Sequence, residues 1–331
     1  DGGRVLSRGP DAKGEPGRPD VGAGKEGRDF TAFFSDVTLG KKGKSNTGRA
    51  YSPVLDTSPI KDFVADYNRY RGNFDDHIAT SIPGFRELQT IVGSAIVDAF
   101  PGGADMLDIG ASEGALIKAI SRASGGAIRT VGLDPNFAMA AHFAKSPKAP
   151  GAEYVVASFS PEETEGLRAW DEPEGPIHNY TPDRQFNIVH EAMAFQFINN
   201  RRAVHIKRIR QLMKPGGVAI LEEKLHTGPA RWSANEAKKD AFKALYYTQA
   251  EMDRKKQEVL GLGAEGAAAA EREREEKIVG MHAYMVSDAE MEAALRANFD
   301  YVVQFWDAGN FKGYVASDDG AAVERFVAAM L

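Results

Sequence analysis

The sequence contains no cysteine, which excludes disulfide bonds, thiolate metal sites and a cysteine nucleophile. It also lacks an apolar run long enough to span a bilayer and shows no signal-peptide pattern, so we predict no membrane association. The formal net charge of -6 provides no global basic field, and we therefore expect no strong nucleic-acid signature. The scattered histidines have no metal-ligand spacing, so no metal is predicted.

What is present suffices for a large core, because the chain has 331 residues of which 43% are hydrophobic. Residues 1–50 are rich in glycine, proline and charge, which predicts a flexible tail that acts as a linker or docking arm. Helical spacing predicts N-terminal helices over 51–103 that cap a cofactor site. The main domain is predicted at 104–331, with a helical insertion at about 233–280.

Short apolar strands alternate with helices through the main domain. We place strands at 104–109, 128–133, 153–157, 186–191, 217–223, 300–306 and 311–316, and helices at 113–123, 136–145, 200–213, 288–297 and 319–330. Gly309-Asn310 predicts a hairpin between the last two strands. The alternation predicts a doubly wound, mostly parallel α/β sheet.

The segment from Asp108 to Gly114 carries the strongest functional signal. Its pattern, D-x-G-x-S-x-G, follows a predicted strand and opens a helix. A dinucleotide-binding loop needs three glycines, but Ser112 holds the middle position, and the Asp108 carboxylate would repel a diphosphate. A second acid, Asp134, ends the next strand where a ribose-binding residue is expected. The pattern therefore favours a positively charged nucleoside bound near Asp108, Gly110 and Asp134.

This loop resembles the first motif of class I S-adenosylmethionine (SAM)-dependent methyltransferases, and other segments resemble one family of that superfamily. The segments are Ser81-Ile82-Pro83-Gly84-Phe85, Ala194-Phe195-Gln196-Phe197-Ile198, Lys214-Pro215-Gly216-Gly217 with Glu222-Glu223-Lys224, and Trp306 with Asn310-Phe311. Together they are similar to the carboxy-SAM synthases, which act in tRNA wobble-uridine modification. The resemblance covers about 74–317. It implies the Rossmann-like class I methyltransferase fold, with a seven-stranded, mostly parallel sheet and an antiparallel last strand.

The resemblance implies a set of residues around S-adenosyl-L-methionine or a carboxylated derivative of it. The predicted cofactor-binding residues are Asp108, Gly110, Ala111, Ser112, Gly114, Asp134, Pro135, Ser158, Phe159, Phe85 and Glu191. His190 and Glu191 end the fourth strand and are the candidate catalytic residues. The residues predicted to line the substrate site or its lid are Gln196, Lys224, Tyr247 and Lys256. Structural alternatives stand beside these roles: Asp134 as a helix N-cap, and His190 with Glu191 as a partly buried, hydrogen-bonded pair.

The sequence departs from the family at several of these positions. Phe85 stands where the family has a tyrosine that helps to bind the cofactor. Lys255 or Lys256 is the nearest match to the arginine that meets the extra carboxylate of the carboxylated cofactor, and lysine lacks the bidentate fork of arginine. Ala157-Ser158-Phe159 replaces an acid near the adenine, and Ala192 replaces an asparagine.

We therefore predict a cytoplasmic SAM-dependent methyltransferase with an unidentified acceptor. Methyl transfer from a sulfonium is an in-line displacement, so the protein mainly has to hold cofactor and acceptor close, aligned and dry. Two alternatives remain open: a carboxy-SAM synthase that uses SAM and prephenate, and a catalytically degenerate module that serves a larger assembly. A homodimer and a place in a longer polypeptide are both compatible with the sequence.

Overall fold

One mixed β-sheet organises the computed structural model, which describes residues 40–41, 44–45, 58–159, 179–198, 201–248, 250–251 and 284–330. Its strands are β1 (Gly40–Lys41), β2 (Lys44–Ser45), β3 (Ala104–Ile109), β4 (Ile128–Asp134), β5 (Ala152–Val156), β6 (Phe186–Ala192), β7 (Met213–Lys224), β8 (Tyr301–Asp307) and β9 (Phe311–Ser317). The helices are α1 (Ser58–Tyr70), α2 (Asn73–Ala79), α3 (Phe85–Ala99), α4 (Ala115–Ala123), α5 (Phe137–Lys145), α6 (Phe195–Ile198), α7 (Arg202–Gln211), α8 (Pro229–Lys243), α9 (Asp288–Asn298) and α10 (Gly320–Ala329).

The strand order is β2-β1-β8-β9-β7-β6-β3-β4-β5. Five neighbouring strands run parallel, namely β5, β4, β3, β6 and β7, whereas β9 inserts antiparallel between β7 and β8. The seven longer strands are therefore mostly parallel with an antiparallel last strand, and the predicted Rossmann-like class I methyltransferase fold is confirmed. The two-residue strands β1 and β2 extend this sheet beyond β8.

Helices cover both faces of the sheet, which is why every residue of β3 is buried. On one face α1, α3, α4 and α10 form a core that includes Phe63, Val92 and Ile117. On the other face α7 and α9 form a second core that includes Ile206 and Leu295. Because α1 and α3 supply so many residues to the first core, the N-terminal helices are part of the fold itself. Their predicted action as a cap over a cofactor stays a prediction.

Several predicted boundaries differ from the structure. The strand predicted at 217–223 begins already at Met213, because Met213 pairs with Phe186 of β6 before the register shifts. The helix predicted from 113 begins at Ala115, since Gly114 has a left-handed φ of 76°. The short helix α2 was not predicted.

The predicted insertion is described only at its start, in α8 and residues 244–248 and 250–251. Its remainder, and all of the predicted tail except β1 and β2, lies outside the described residues. None of the helices in the described ranges combines the length and apolarity needed to cross a bilayer.

Candidate active site

The candidate site lies at the carboxyl ends of β3 and β6, two neighbouring strands whose following helices lie on opposite faces of the sheet. β3 leads to α4 in the first core, and β6 leads through α6 to α7 in the second. Such a switch point opens a crevice that binds ligands in α/β sheets. The loops that leave the two strands touch here, because a Cβ on Gly110 would lie 2.5 Å from the Cβ of Ala194.

The glycines of the first loop have a packing role in addition to the predicted ligand role. Gly110 and Gly114 have φ angles of 74° and 76°, which favour glycine. We expected these glycines to admit a ligand, but the structure places protein atoms in front of them. A Cβ on Gly114 would lie 2.4 Å from the ring of Phe143. The close approach of Ala194 and Phe143 therefore requires a residue without a Cβ at these two positions.

Ser112 lies at the tip of this loop with a positive φ of 52°, an uncommon conformation for a residue with a Cβ. Two hydrogen bonds hold it there. The Ser112 amide donates to Asp134 Oδ2 at 3.1 Å, and the Tyr154 hydroxyl donates to the Ser112 carbonyl at 2.6 Å. Backbone strain fixed by its surroundings is common at ligand sites.

Asp134 lies at the end of β4, and its carboxylate links the loop after β3 to the start of α5. Its Oδ1 accepts from the Asn136 amide at 2.9 Å, while Oδ2 accepts from Ser112. Burial raises the pKa of Asp134, although these two amides oppose that shift. The N-cap of α5 is Asn136, whose side chain accepts from the Ala138 amide, so the alternative that Asp134 is the N-cap is wrong. Each carboxylate oxygen keeps a lone pair for a ribose hydroxyl, and that role stays a prediction.

A buried chain of polar side chains lies beneath the loop. His190 Nδ1 is 2.7 Å from Asp108 Oδ1, and His190 Nε2 is 3.5 Å from Glu222 Oε1. Gln89 donates to Glu222 Oε2 at 2.6 Å. Burial disfavours the imidazolium, but Asp108 and Glu222 outweigh burial and raise the pKa of His190 to about 10. Asp108, which we expected to face the ligand, thus directs one oxygen to a buried cation.

Glu191 points to the opposite face of the sheet, where it meets a different histidine. His205 Nε2 lies 3.0 Å from Glu191 Oε2, and the His205 ring packs between Phe159 and Phe195 with centroid distances of 5.0 and 4.3 Å. Burial raises the pKa of Glu191 and lowers that of His205. His190 and Glu191 are therefore each buried with separate partners, so the alternative that they form one pair is wrong. A catalytic role for either stays a prediction.

The residues predicted to meet the adenine or nearby cofactor atoms are largely packed against protein. The Phe159 ring also lies 4.2 Å from the Arg208 guanidinium carbon, and Phe85 belongs to the core around α3. The Ser158 carbonyl accepts from the Tyr180 amide at 2.8 Å. Their contacts with a cofactor stay predictions.

Two of the predicted lid residues meet elements close to the loop. Tyr247 Oη is 2.7 Å from Thr80 Oγ1, so the segment after α8 contacts the end of α2. Gln196 is buried and donates to the Met193 carbonyl at 2.8 Å. Lys256 lies outside the described residues.

Lys224 lies at the carboxyl end of β7 beneath α8. Its Nζ is 3.5 Å from Glu236 Oε1 and 4.9 Å from the centroid of the Trp232 ring. Burial lowers the pKa of Lys224 to about 8 and that of Lys239, which also pairs with Glu236, to about 7. Asn310 donates to Glu236 at 2.9 Å and thereby ties α8 to the last hairpin.

The structure adds two residues that the sequence analysis missed. Glu113, inside the loop, accepts the Phe74 and Asp75 amides at 3.1 Å each and so ties α2 to the loop. The Asp75 carboxyl lies next to Glu113, and burial followed by Glu113 raises its pKa to about 7. The acids in the first turn of α2 could have indicated a helix start, but the contact with Glu113 spans nearly forty residues and leaves no local signal.

The chain matches no family model, and no curated protein matches it. Among solved structures, an S-adenosylmethionine-dependent methyltransferase from Mesorhizobium loti is 17% identical, with 43% of this chain and 54% of that one covered at a TM-score of 0.31. The N-methyltransferase NodS from Bradyrhizobium japonicum is 11% identical, with 52% and 80% covered at 0.33. The plantazolicin methyltransferase BpumL in complex with SAH is 10% identical, with 78% and 98% covered at 0.37. The chain spans about half the length of the Mesorhizobium protein, and at such scores the likeness carries no conclusion about ligand or reaction.

Proposed function

We propose that the chain is a SAM-dependent methyltransferase that acts on an unidentified acceptor. The observation that supports this most is the loop at the switch point, which contains Glu113, follows Asp108 and has its Ser112 amide fixed by Asp134. SAM carries a sulfonium and an ammonium group and no phosphate. A loop surrounded by carboxylates suits such a ligand better than it suits a dinucleotide.

The residues present fit this chemistry by position and charge. SAM, when bound, supplies a methyl group on a good leaving group, so the chain has to orient and enclose the reactants. Asp134 would accept the ribose hydroxyls at the end of β4. His190 holds Asp108 in one orientation below the loop through their 2.7 Å contact. The Thr80–Tyr247 contact joins the segment after α8 to the end of α2, and in this proposal that segment would exclude water from the reactants.

The first test is ligand binding by the purified chain. We expect calorimetry to show binding of SAM and of its demethylated product, S-adenosylhomocysteine, and mass spectrometry of co-purified small molecules to find one of them. A retained ligand heavier than SAM by a carboxylate group would instead assign the chain to carboxy-SAM synthesis. Failure to bind either nucleoside would refute the proposal and favour a non-catalytic module.

Asp134→Ala tests the geometry of the proposed site. We expect nucleoside binding to weaken by on the order of 1.5–3 kcal/mol, because hydrogen bonds between the carboxylate and the ribose are lost. Asn136→Ala is the matched control, since it removes the N-cap of α5 at the same corner without removing the carboxylate. Equal affinity in the wild type and Asp134→Ala would contradict the assigned role.

A further inference from the structure

Four carboxylates surround the loop between β3 and α4. They belong to Asp75 in α2, Asp108 in β3, Glu113 in the loop and Asp134 in β4. All four lie close enough to affect Tyr154, whose hydroxyl donates to the loop. Burial, and then the negative charges of these acids, raise the pKa of Tyr154. Acidic side chains therefore predominate around the loop.

Asp108, Glu113 and Asp134 each have partners in the protein. Asp108 meets His190, and Asp134 accepts two backbone amides. Glu113 accepts the amides of Phe74 and Asp75, and its other oxygen lies 3.7 Å from His142 Nδ1. Each of these carboxylates thus receives compensation from a donor or a cation.

Asp75 differs from these three, because its carboxyl accepts a backbone hydrogen bond from Gly72 but keeps one buried oxygen without a donor among the described residues. Its Oδ2 is buried and accepts no hydrogen bond from the described part of the chain. The arginines of this region pair with the next residue instead, because Arg71 and Arg86 lie 3.1 and 3.3 Å from Asp76 Oδ1. A buried carboxylate oxygen without a donor is costly, so its retention points to a ligand that supplies the donor.

The backbone holds Asp75 in this position. Glu113 binds the Asp75 amide, and a Cβ on Gly72 would lie 2.4 Å from the Glu113 carboxyl carbon. The start of α2 is therefore pressed against the loop that carries Ser112, at a distance that leaves no space for another side chain at Gly72. Asp75 cannot move away from Glu113 without breaking these contacts.

We propose that Asp75 binds the positively charged amino-acid end of the nucleoside ligand through its unpartnered Oδ2. This rests on the proposed function, because it assigns a further binding residue to that site. An ammonium or sulfonium group beside the Asp75 carboxyl would offset the negative charge of Asp75 and of the acids next to it. The assignment also gives the N-terminal helices a direct part in recognising the ligand.

The test compares charged and neutral nucleosides by calorimetry on the full chain. SAM carries both cationic groups, S-adenosylhomocysteine carries the ammonium group alone, and 5′-methylthioadenosine carries neither. For Asp75→Asn we expect roughly tenfold or greater weakening for SAM, and unchanged affinity for 5′-methylthioadenosine. Weakening for both charged ligands would assign the ammonium group to Asp75, and weakening for SAM alone would assign the sulfonium.

Asp76→Asn is the matched control on the same helix, because it loosens α2 without removing the charge next to Glu113. It is expected to bind all three nucleosides in the wild-type order of affinity. An Asp75→Asn variant that binds SAM like the wild type, or that loses 5′-methylthioadenosine equally, would overturn the inference and leave the proposed function standing. A wild-type chain that binds none of the three nucleosides would overturn both.

Discussion

His190 supplies the positive charge between two buried carboxylates below the loop, those of Asp108 and Glu222. It is buried between Asp108 and Glu222, and its pKa is raised to about 10 against an ordinary value of 6.5. Replacement by an apolar residue would leave two carboxylates facing each other without a cation. We therefore expect His190→Leu to lower the free energy of unfolding by about 3–5 kcal/mol in urea denaturation at pH 7.

The raised pKa of His190 also fixes the sign of a pH dependence. Since the folded state binds this proton more tightly than the unfolded state, the contribution is fully present below pH 6.5 and is lost as the pH rises through about 10. His190→Leu should remove this part of the alkaline loss. His226→Leu is the control, because His226 is exposed, and its effect should stay within about 1 kcal/mol. A similar loss in both variants would contradict the role of the buried cation.

Asp75 has the opposite effect on the stability of the unliganded chain. Burial and Glu113 raise its pKa from 3.8 to about 7, so folding becomes less favourable as the pH rises through that range. In urea denaturation at pH 8, Asp75→Asn should therefore have a higher free energy of unfolding than the wild type, by on the order of 1–4 kcal/mol. At pH 4 the two proteins should have nearly the same free energy of unfolding. Asp76→Asn should be less stable at pH 8, because it loses two arginine partners. An Asp75→Asn chain that is less stable at pH 8 would show that its carboxylate supports the fold.

Single residues of the site were predictable from the sequence to different degrees. Asp108 and Asp134 could be assigned to the site because each ends a strand, and the carboxyl ends of neighbouring parallel strands meet at one edge. The partner of Asp108 was not predicted, since the pairing of β3 with β6 joins segments that are far apart in the chain. Asp75 was missed for the same reason, because only tertiary contact with Glu113 places it beside the loop.

At the scale of elements, the contact between α5 and the loop depends on Gly114. Any residue with a Cβ at this position meets the Phe143 ring in addition to the left-handed backbone penalty. We expect Gly114→Ala to destabilise the chain by about 2–4 kcal/mol and to weaken nucleoside binding. The measurement is thermal unfolding together with calorimetry.

Gly125→Ala provides a matched control for Gly114→Ala. Gly125 has a φ of 62°, and a Cβ there would meet nothing within 4 Å. It should therefore lose only the cost of the backbone conformation, about 1–2 kcal/mol, with nucleoside affinity unchanged. Equal losses for the two variants would show that packing against Phe143 contributes nothing.

Elements with a strong pattern were predicted well, and those without one were not. The apolar strands and amphipathic α3 are readable because burial dictates their residues. The short helix α2 has only Phe74 and Ile78 at helical spacing and is tied to the loop by Glu113, so its apolar pattern is too short to predict a helix. The early start of β7 at Met213 arises because Phe186 pairs with that residue before the register shifts at Ile188.

At the scale of the whole molecule, the N-terminal helices and α8 are attached to the rest of the fold through different chemistry. The N-terminal helices join the apolar core of one face through α1 and α3, whereas α8 is attached by polar contacts of Glu236 and Asn310. Polar contacts at a solvent boundary open more easily than a packed core. We therefore expect the segment after α8 to open more easily than the N-terminal helices.

The Thr80–Tyr247 hydrogen bond is the contact that would link the N-terminal helices to the segment after α8 in the closed state. Thr80 Oγ1 also bonds the Asp76 and His77 carbonyls, so a single substitution at Thr80 reports more than its contact with Tyr247. A double-mutant cycle with Thr80→Val and Tyr247→Phe isolates the interaction energy between the two side chains. We expect a coupling energy of about 0.5–1.5 kcal/mol in the affinity for S-adenosylhomocysteine.

Hydrogen exchange completes this prediction, because the cycle alone does not locate the change. If the hydrogen bond closes the segment after α8 over a bound nucleoside, amides at 245–248 should exchange more slowly with S-adenosylhomocysteine present, and Tyr247→Phe should abolish most of that slowing. Amides of β3, inside the packed sheet, should respond equally in both proteins and serve as the internal reference. Strictly additive losses of affinity in the cycle, with ligand-independent exchange at 245–248, would contradict this prediction. The N-terminal helices and the segment after α8 would then bind the nucleoside without acting on each other.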